Sequence, residues 1–169
     1  MASIKTISKP SLYFIFTLAL LACSAKKEVS TFVYDQEELL TKEQKNVLDQ
    51  LYRAHEKKTS NEIALLTTSS FEPDSNILFY SVNMANKLGI GKKEKDNGVL
   101  IVVSKKNKAI RIATGHGTEK VLEDHVAKKI IDSLMIPAFK RGAYYEGIYA
   151  GSAAIVSFLE QPGHEIKEK

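Results

Sequence analysis

The sequence predicts an α/β fold: a mixed sheet covered by helices on both faces. Three observations predict it. Val99-Leu100-Ile101-Val102-Val103 is an unbroken apolar run, the mark of a strand buried on both faces and therefore central. Residues 109–114 alternate after a polar turn at 105–108, so they return antiparallel beside that strand. A second β-rich run, 63–68, reaches 99–103 through a helical segment, which makes those two strands parallel.

The remaining elements follow in order. Phe32-Val33-Tyr34-Asp35 is a brief extended stretch. Thr41-Lys42-Glu43-Gln44 matches a capping box, and Val47, Leu48, Leu51 and Ala54 continue at helical spacing until Thr59-Ser60-Asn61. After 63–68, Asp74 or Ser75 can cap a second helix. Its inner face is either Leu78, Val82 and Ala85 or Ile77, Met84 and Leu88, and Gly89 closes it. Asp124 can cap a helix bearing Val126, Ile130, Ile131 and Leu134, which should stop before Pro137. A last helix spans about 143–159, and the charged tail 165–169 reads as frayed.

The front of the chain stands apart. Lys5 and Lys9 precede an apolar run, 12–21, and small residues lead to Cys23. That is the layout of a secretory signal. The run falls short of the ~20 residues a membrane span takes. Leu20-Leu21-Ala22-Cys23 resembles a bacterial lipoprotein box, in which cleavage leaves Cys23 as the acylated N-terminus. The organisation expected is a signal peptide at 1–22, a polar tether at 23–31, one domain at 32–160 and a charged tail at 161–169. Roughly 145 residues remain after cleavage, enough for one domain with a real core. With its only Cys acylated, that domain has no disulfide and no thiol nucleophile. Without Lys5 and Lys9 the charge of +4 falls to 22 basic against 20 acidic residues. The basic residues are interspersed with acidic ones, which argues against nucleic acid as a partner.

Candidate chemistry gathers at the ends of the hairpin. Asp96-Asn97-Gly98 opens the central strand, and Gly115-His116-Gly117-Thr118-Glu119 follows its return partner. Hairpin geometry makes these two loops neighbours. Asp35 joins them only if its strand ends on the same edge, and Asp124 lies just beyond. Carboxylates brought together repel one another and resist desolvation, and a bound cation relieves both costs. Oxygen donors select Ca²⁺ or Mg²⁺ over softer metals. Gly89-Ile90-Gly91-Lys92 lacks P-loop spacing, and Gly115-His116-Gly117 lacks the third glycine of a dinucleotide loop, so no nucleotide is expected. His116 could act as acid, base or ligand, although a loop histidine is more often solvated. No Gly-x-Ser-x-Gly elbow is present.

Taken in order, these stretches resemble the TPM domain family. They are Val33-Tyr34-Asp35 before Leu39-Leu40-Thr41; Leu88-Gly89-Ile90-Gly91-Lys92-Lys93; Asp96-Asn97-Gly98-Val99-Leu100-Ile101; Arg111 through Glu119; and Ile136-Pro137-Ala138-Phe139-Lys140-Arg141-Gly142 before Tyr144 and Gly147. The resemblance implies a three-layer α/β/α sandwich with a mixed central sheet containing one antiparallel hairpin. Family members include a thylakoid-lumen protein with acid phosphatase activity linked to photosystem II repair and a membrane-tethered nematode modulator of acetylcholine receptors. Some bacterial members bind Ca²⁺ or Mg²⁺ in an acidic loop pocket. By position, the resemblance assigns metal-binding roles to Asp35, Asp96, Glu119 and Asp124.

The function expected is therefore a lipid-tethered domain that binds a divalent cation and serves interaction or maintenance of membrane proteins. A metal-dependent phosphomonoesterase is the alternative. The expected site is the bacterial cell envelope, facing the periplasm. Partners would be the membrane, through lipid on Cys23, and a membrane protein. Ser24 after Cys23 favours the outer membrane.

Overall fold

A computed structural model describes residues 31–168. Cys23, the signal segment and most of the tether lie outside them. The sheet has four strands in the order β1-β2-β3-β4: Val33–Asp35, Glu62–Thr67, Gly98–Ser104 and Ala109–Thr114. β1, β2 and β3 are parallel, and β4 runs antiparallel to β3 with Val99 opposite Thr114 and Ser104 opposite Ala109. Every residue of β2 and β3 is buried. Both faces are therefore covered, and the arrangement is a three-layer α/β/α sandwich.

The helices are α1 (Lys42–Thr59), α2 (Ile77–Leu88), α3 (His116–Glu119), α4 (Asp124–Ile130), α5 (Ile136–Lys140) and α6 (Tyr144–Leu159). The capping box at Thr41 forms as expected, with Gln44 N–H donating to Thr41 Oγ1 and Thr41 N–H to Gln44 Oε1. The inward face of α1 is Leu48, Tyr52 and His55, while Val47 is exposed. A buried hydrogen bond of 2.6 Å between Tyr52 Oη and Ser152 Oγ ties α1 to α6. Asn76 caps α2 through its side-chain oxygen, in place of Asp74 or Ser75. Of the two faces open to α2, the structure turns Ile77, Met84 and Leu88 toward the core and leaves Leu78 and Val82 exposed.

Three further expectations are corrected. Asp124 is the first residue of α4 rather than its cap, and Glu123 takes the cap position without a side-chain bond. Pro137 does not stop the helix. A π-helical turn, Ile131–Met135, inserts before it, and Pro137 enters in the first turn of α5. The helical run continues unbroken into α5, with Ile136 N–H donating to Ile131 O, and the widened turn makes room for the proline ring against the preceding backbone. The tail is not simply frayed, because Ile166 is buried against the body of the domain.

Candidate functional site

The sheet has two chemically distinct edges. One lies at the carboxyl ends of β1, β2 and β3, and Asp35 belongs there. Its strand is parallel to its neighbours, so Asp35 pairs with Thr67 at the far end of β2. Asp96 precedes Gly98, which pairs with Glu62 at the near end. Five residues of β2 separate the two levels, roughly 17 Å along the strand. Asp35 and Asp96 thus stand at opposite edges.

Asp35 is also committed to the fold. Its Oδ1 accepts from Leu39 N–H and the Thr67 hydroxyl, and its Oδ2 accepts from Leu40 N–H. Its side chain has no exposed surface, and Lys45 Nζ stands 3.8 Å away. This carboxylate closes the turn from β1 into α1 and pins it to β2. Glu37, two residues on, does similar work: its carboxylate accepts from Lys105 and Lys106 N–H and so caps the β3–β4 turn.

The opposite edge brings together the two loops that hairpin geometry places side by side. Gly117 and Thr118 N–H both donate to Asp96 O, and Gly115 N–H donates to Gly98 O. The glycines here serve close approach. A Cβ on Gly98 would stand 2.3 Å from Ile90 O, and one on Gly117 would stand 1.9 Å from Lys95 O. Backbone fills the space between the loops. Beneath them the buried Asn97 accepts from Lys92 N–H and donates to Ser60 O and Asn61 Oδ1. Glu62 accepts from Gly91 N–H and pairs with Lys92, which also reaches Glu56 at 3.0 Å. The Glu62 bond, foremost, holds the Lys92 ammonium above its ordinary pKa.

Glu119 is exposed on the single turn of α3, with His116 Nδ1 3.6 Å from its carboxylate, and Asp124 is exposed at the start of α4. His116 is largely solvated. Among the described residues, no three His, Cys, Asp or Glu side chains are grouped to hold a metal ion. The structure therefore brings the Asp96 and Glu119 loops together, but does not gather Asp35, Asp96, Glu119 and Asp124 into one pocket.

A pocket of about 430 Å³ opens instead at the carboxyl edge. Glu37, Glu38, Gln44, Lys105, Tyr144 and Glu146 line it. Open α/β sheets characteristically bind ligands outside the carboxyl ends of their strands. Glu38 sits at a left-handed φ of 52° in the β1–α1 turn. Glu146, in the first turn of α6, lies 3.7 Å from Arg141 in an exposed pair. Lys105 Nζ stands 5.5 Å from the centre of the Tyr144 ring. Sequence reasoning missed this set. The acidic run beginning at Asp35 was the one local signal, and nothing local ties it to Glu146 more than a hundred positions away.

Order and chemistry of these elements agree with a known family, and the TPM domain model matches residues 33–158. The chain belongs to the TPM domain family. It is similar to the N-terminal domain of a P. gingivalis protein, solved by NMR, at 29% identity and a TM-score of 0.72, covering 82% of this chain and 88% of that one. The BA42 protein of the psychrophilic Bizionia argentinensis is 24% identical with a TM-score of 0.59, over 79% of this chain and 93% of that one. The N-terminal domain of cg2496 from Corynebacterium glutamicum is 10% identical with a TM-score of 0.59, over 76% and 80%. These last two share the fold. No curated protein matches the chain. Both edges of the sheet lie within the TPM match, whereas the tail beyond Leu159 lies outside it.

Proposed function

We propose that this chain is a membrane-tethered TPM domain that binds a divalent cation, Ca²⁺ or Mg²⁺, at its carboxyl edge and serves as an interaction or maintenance module for membrane proteins. One observation carries the cation reading: Glu37, Glu38 and Glu146 face a single pocket where the parallel strands end. Carboxylate and amide oxygens are the donors hard cations take, so Glu38, Glu146 and Gln44 suit one by type, while Glu37 is held by Lys105 and Lys106 N–H. As they stand these carboxylates are not grouped to hold an ion, so binding requires the β1–α1 turn and α6 to close on it. The opposite edge offers less room, because glycine-to-backbone contacts close it.

The pocket lining has no serine, threonine, cysteine or histidine. A metal-dependent phosphomonoesterase is the second reading, and at this pocket its proton carrier would have to be Glu38, Glu146, Lys105 or Tyr144. Neutralising the carboxylates would draw the β1–α1 turn toward α6 and fix the surface between them for a partner. The tether reading rests on the lipoprotein-like Leu20-Leu21-Ala22-Cys23.

Thermal unfolding tests the cation. A ligand that binds only the folded state raises Tm by mass action. Millimolar Ca²⁺ or Mg²⁺ should raise it, and Glu38→Gln with Glu146→Gln should abolish the rise. An unmoved Tm, or a rise that survives the double substitution, rejects this site. Cys23→Ser should release the protein from the membrane fraction; continued attachment rejects the lipid tether.

A further inference from the structure

Helix α2 carries two apolar stripes, and the core takes only one. Ile77, Tyr80, Met84 and Leu88 pack inward. Leu78, Phe79 and Val82 stay outside, 42%, 57% and 47% exposed. Val82 follows Leu78 by four positions and Phe79 by three, so all share one side of the helix. The other large hydrophobic side chains exposed among the described residues, Val47, Leu134 and Tyr149, stand singly on separate elements. Exposure concentrated on one face marks a contact surface, whereas scattered exposure does not. The rest of this face is neutral, with Asn83 and Asn86 exposed beside the apolar residues. Lys87, exposed in the last turn, is the one charged residue of α2. The nearby Asp74 carboxylate accepts from Asn83 Nδ2 at 2.6 Å. An apolar face with neutral flanks and a terminal lysine suits the boundary between lipid headgroups and acyl chains. Such a face sinks about 5–10 Å into that boundary.

We propose that the Leu78-Phe79-Val82 face of α2 rests on the lipid bilayer to which Cys23 holds the chain, an inference that rests on the tether reading above. Eight positions separate Cys23 from Thr31, the first described residue, so a fully extended tether spans only ~26–29 Å. A domain of this size has a radius of gyration of about 14 Å, so the bilayer is never more than about one domain width away. A short tether makes contact with the bilayer intramolecular, and a weak face then suffices. Three side chains are too few to hold an untethered domain. The face therefore orients the protein on the membrane, and release by Cys23→Ser remains the expectation.

The test uses the whole mature chain, purified from bacterial membranes and reconstituted into phosphatidylcholine–phosphatidylglycerol vesicles. With Cys23 acylated, Phe79→Cys supplies the only free thiol, which takes an NBD label. Emission from that label should shift to the blue and be quenched by lipids carrying a nitroxide on the acyl chain near the headgroup. The same label at Ser157→Cys, exposed on α6, should stay water-like and unquenched. A label at Val82→Cys should be quenched as well. Adding Leu78→Ser and Phe79→Ser should bring that quenching down to the Ser157 level while the protein still floats with the vesicles. Water-like emission at both 79 and 82 in chains that float overturns the docking face and leaves the tether standing. Equal quenching at 157 overturns it too, because no one face is then chosen. A blue shift without lipid quenching means that protein, a second copy of this chain included, covers the face, and overturns lipid as its occupant. Failure of the chain to float overturns the tether reading and this inference with it.

Discussion

Asp35 Oδ1 accepts the Thr67 hydroxyl proton in a 2.6 Å hydrogen bond across the register pair that joins β1 to β2. The same carboxylate takes two backbone N–H groups from the following turn. A residue that sequence reasoning set among metal ligands is spent on architecture. Asp35→Asn keeps the volume but turns an amide N–H toward a donor. It should cost about 2–3 kcal/mol, as loss of buried charge-assisted bonds does. Urea unfolding measures it. Where the variant remains folded, its Tm response to Ca²⁺ should match that of the wild type.

Tyr52 and Ser152 form the buried polar link between α1 and α6. Burial pushes the Tyr52 hydroxyl pKa far above its ordinary value, so it stays neutral. Tyr52→Phe should cost about 1–2 kcal/mol, part of it from the stranded Ser152 hydroxyl. Adding Ser152→Ala should cost less than the sum of the single changes, and a double-mutant cycle in urea reads the difference.

His55 is buried on the inner face of α1, with Nδ1 3.1 Å from Glu160 Oε1, Nε2 3.3 Å from Thr59 Oγ1, and Lys58 paired to the same glutamate. Burial holds its imidazole below the ordinary 6.5, outweighing the Glu160 carboxylate, which pulls the other way. The unfolded chain therefore binds the proton first. The contribution is complete above pH 6.5 and is lost as the pH falls from there through the folded value. The urea midpoint should hold steady between about pH 7 and 8 and fall toward about pH 5.5. His55→Gln should flatten that limb.

Gly117 lies against Lys95 O and beneath Ile166. Gly117→Ala must push one of them away, and overpacking of this kind costs roughly 2–3 kcal/mol. Denaturant unfolding should show the loss. The effect should persist in Ile166→Ser, because the backbone contact with Lys95 remains.

Much of this was legible in the sequence. The apolar run 99–103 can only be a covered central strand, and the Thr41–Gln44 pattern can only start a helix. The adjacency of the Asp96 and Gly115 loops followed from the hairpin between them. The edge to which Asp35 belongs did not follow, because a three-residue strand carries no periodic signal of its direction. The stop assigned to Pro137 failed because a π-helical turn is set by packing: Met135 lies against Gly151, where a Cβ would meet its sulfur at 2.6 Å. Ile166, a lone apolar residue among charges, gave no local sign of a partner as distant in sequence as Gly117.

The claim that a cation binds at the carboxyl edge is tested most directly by titrating Ca²⁺ into the isotopically labelled mature domain and following amide signals by NMR. Saturable shifts should be confined to residues 37–39, to Lys105 and to 142–146, and Glu38→Gln with Glu146→Gln should remove them. Shifts centred on Asp96, Glu119 and Asp124, or none up to about 10 mM, where binding is worth under ~3 kcal/mol, would contradict it.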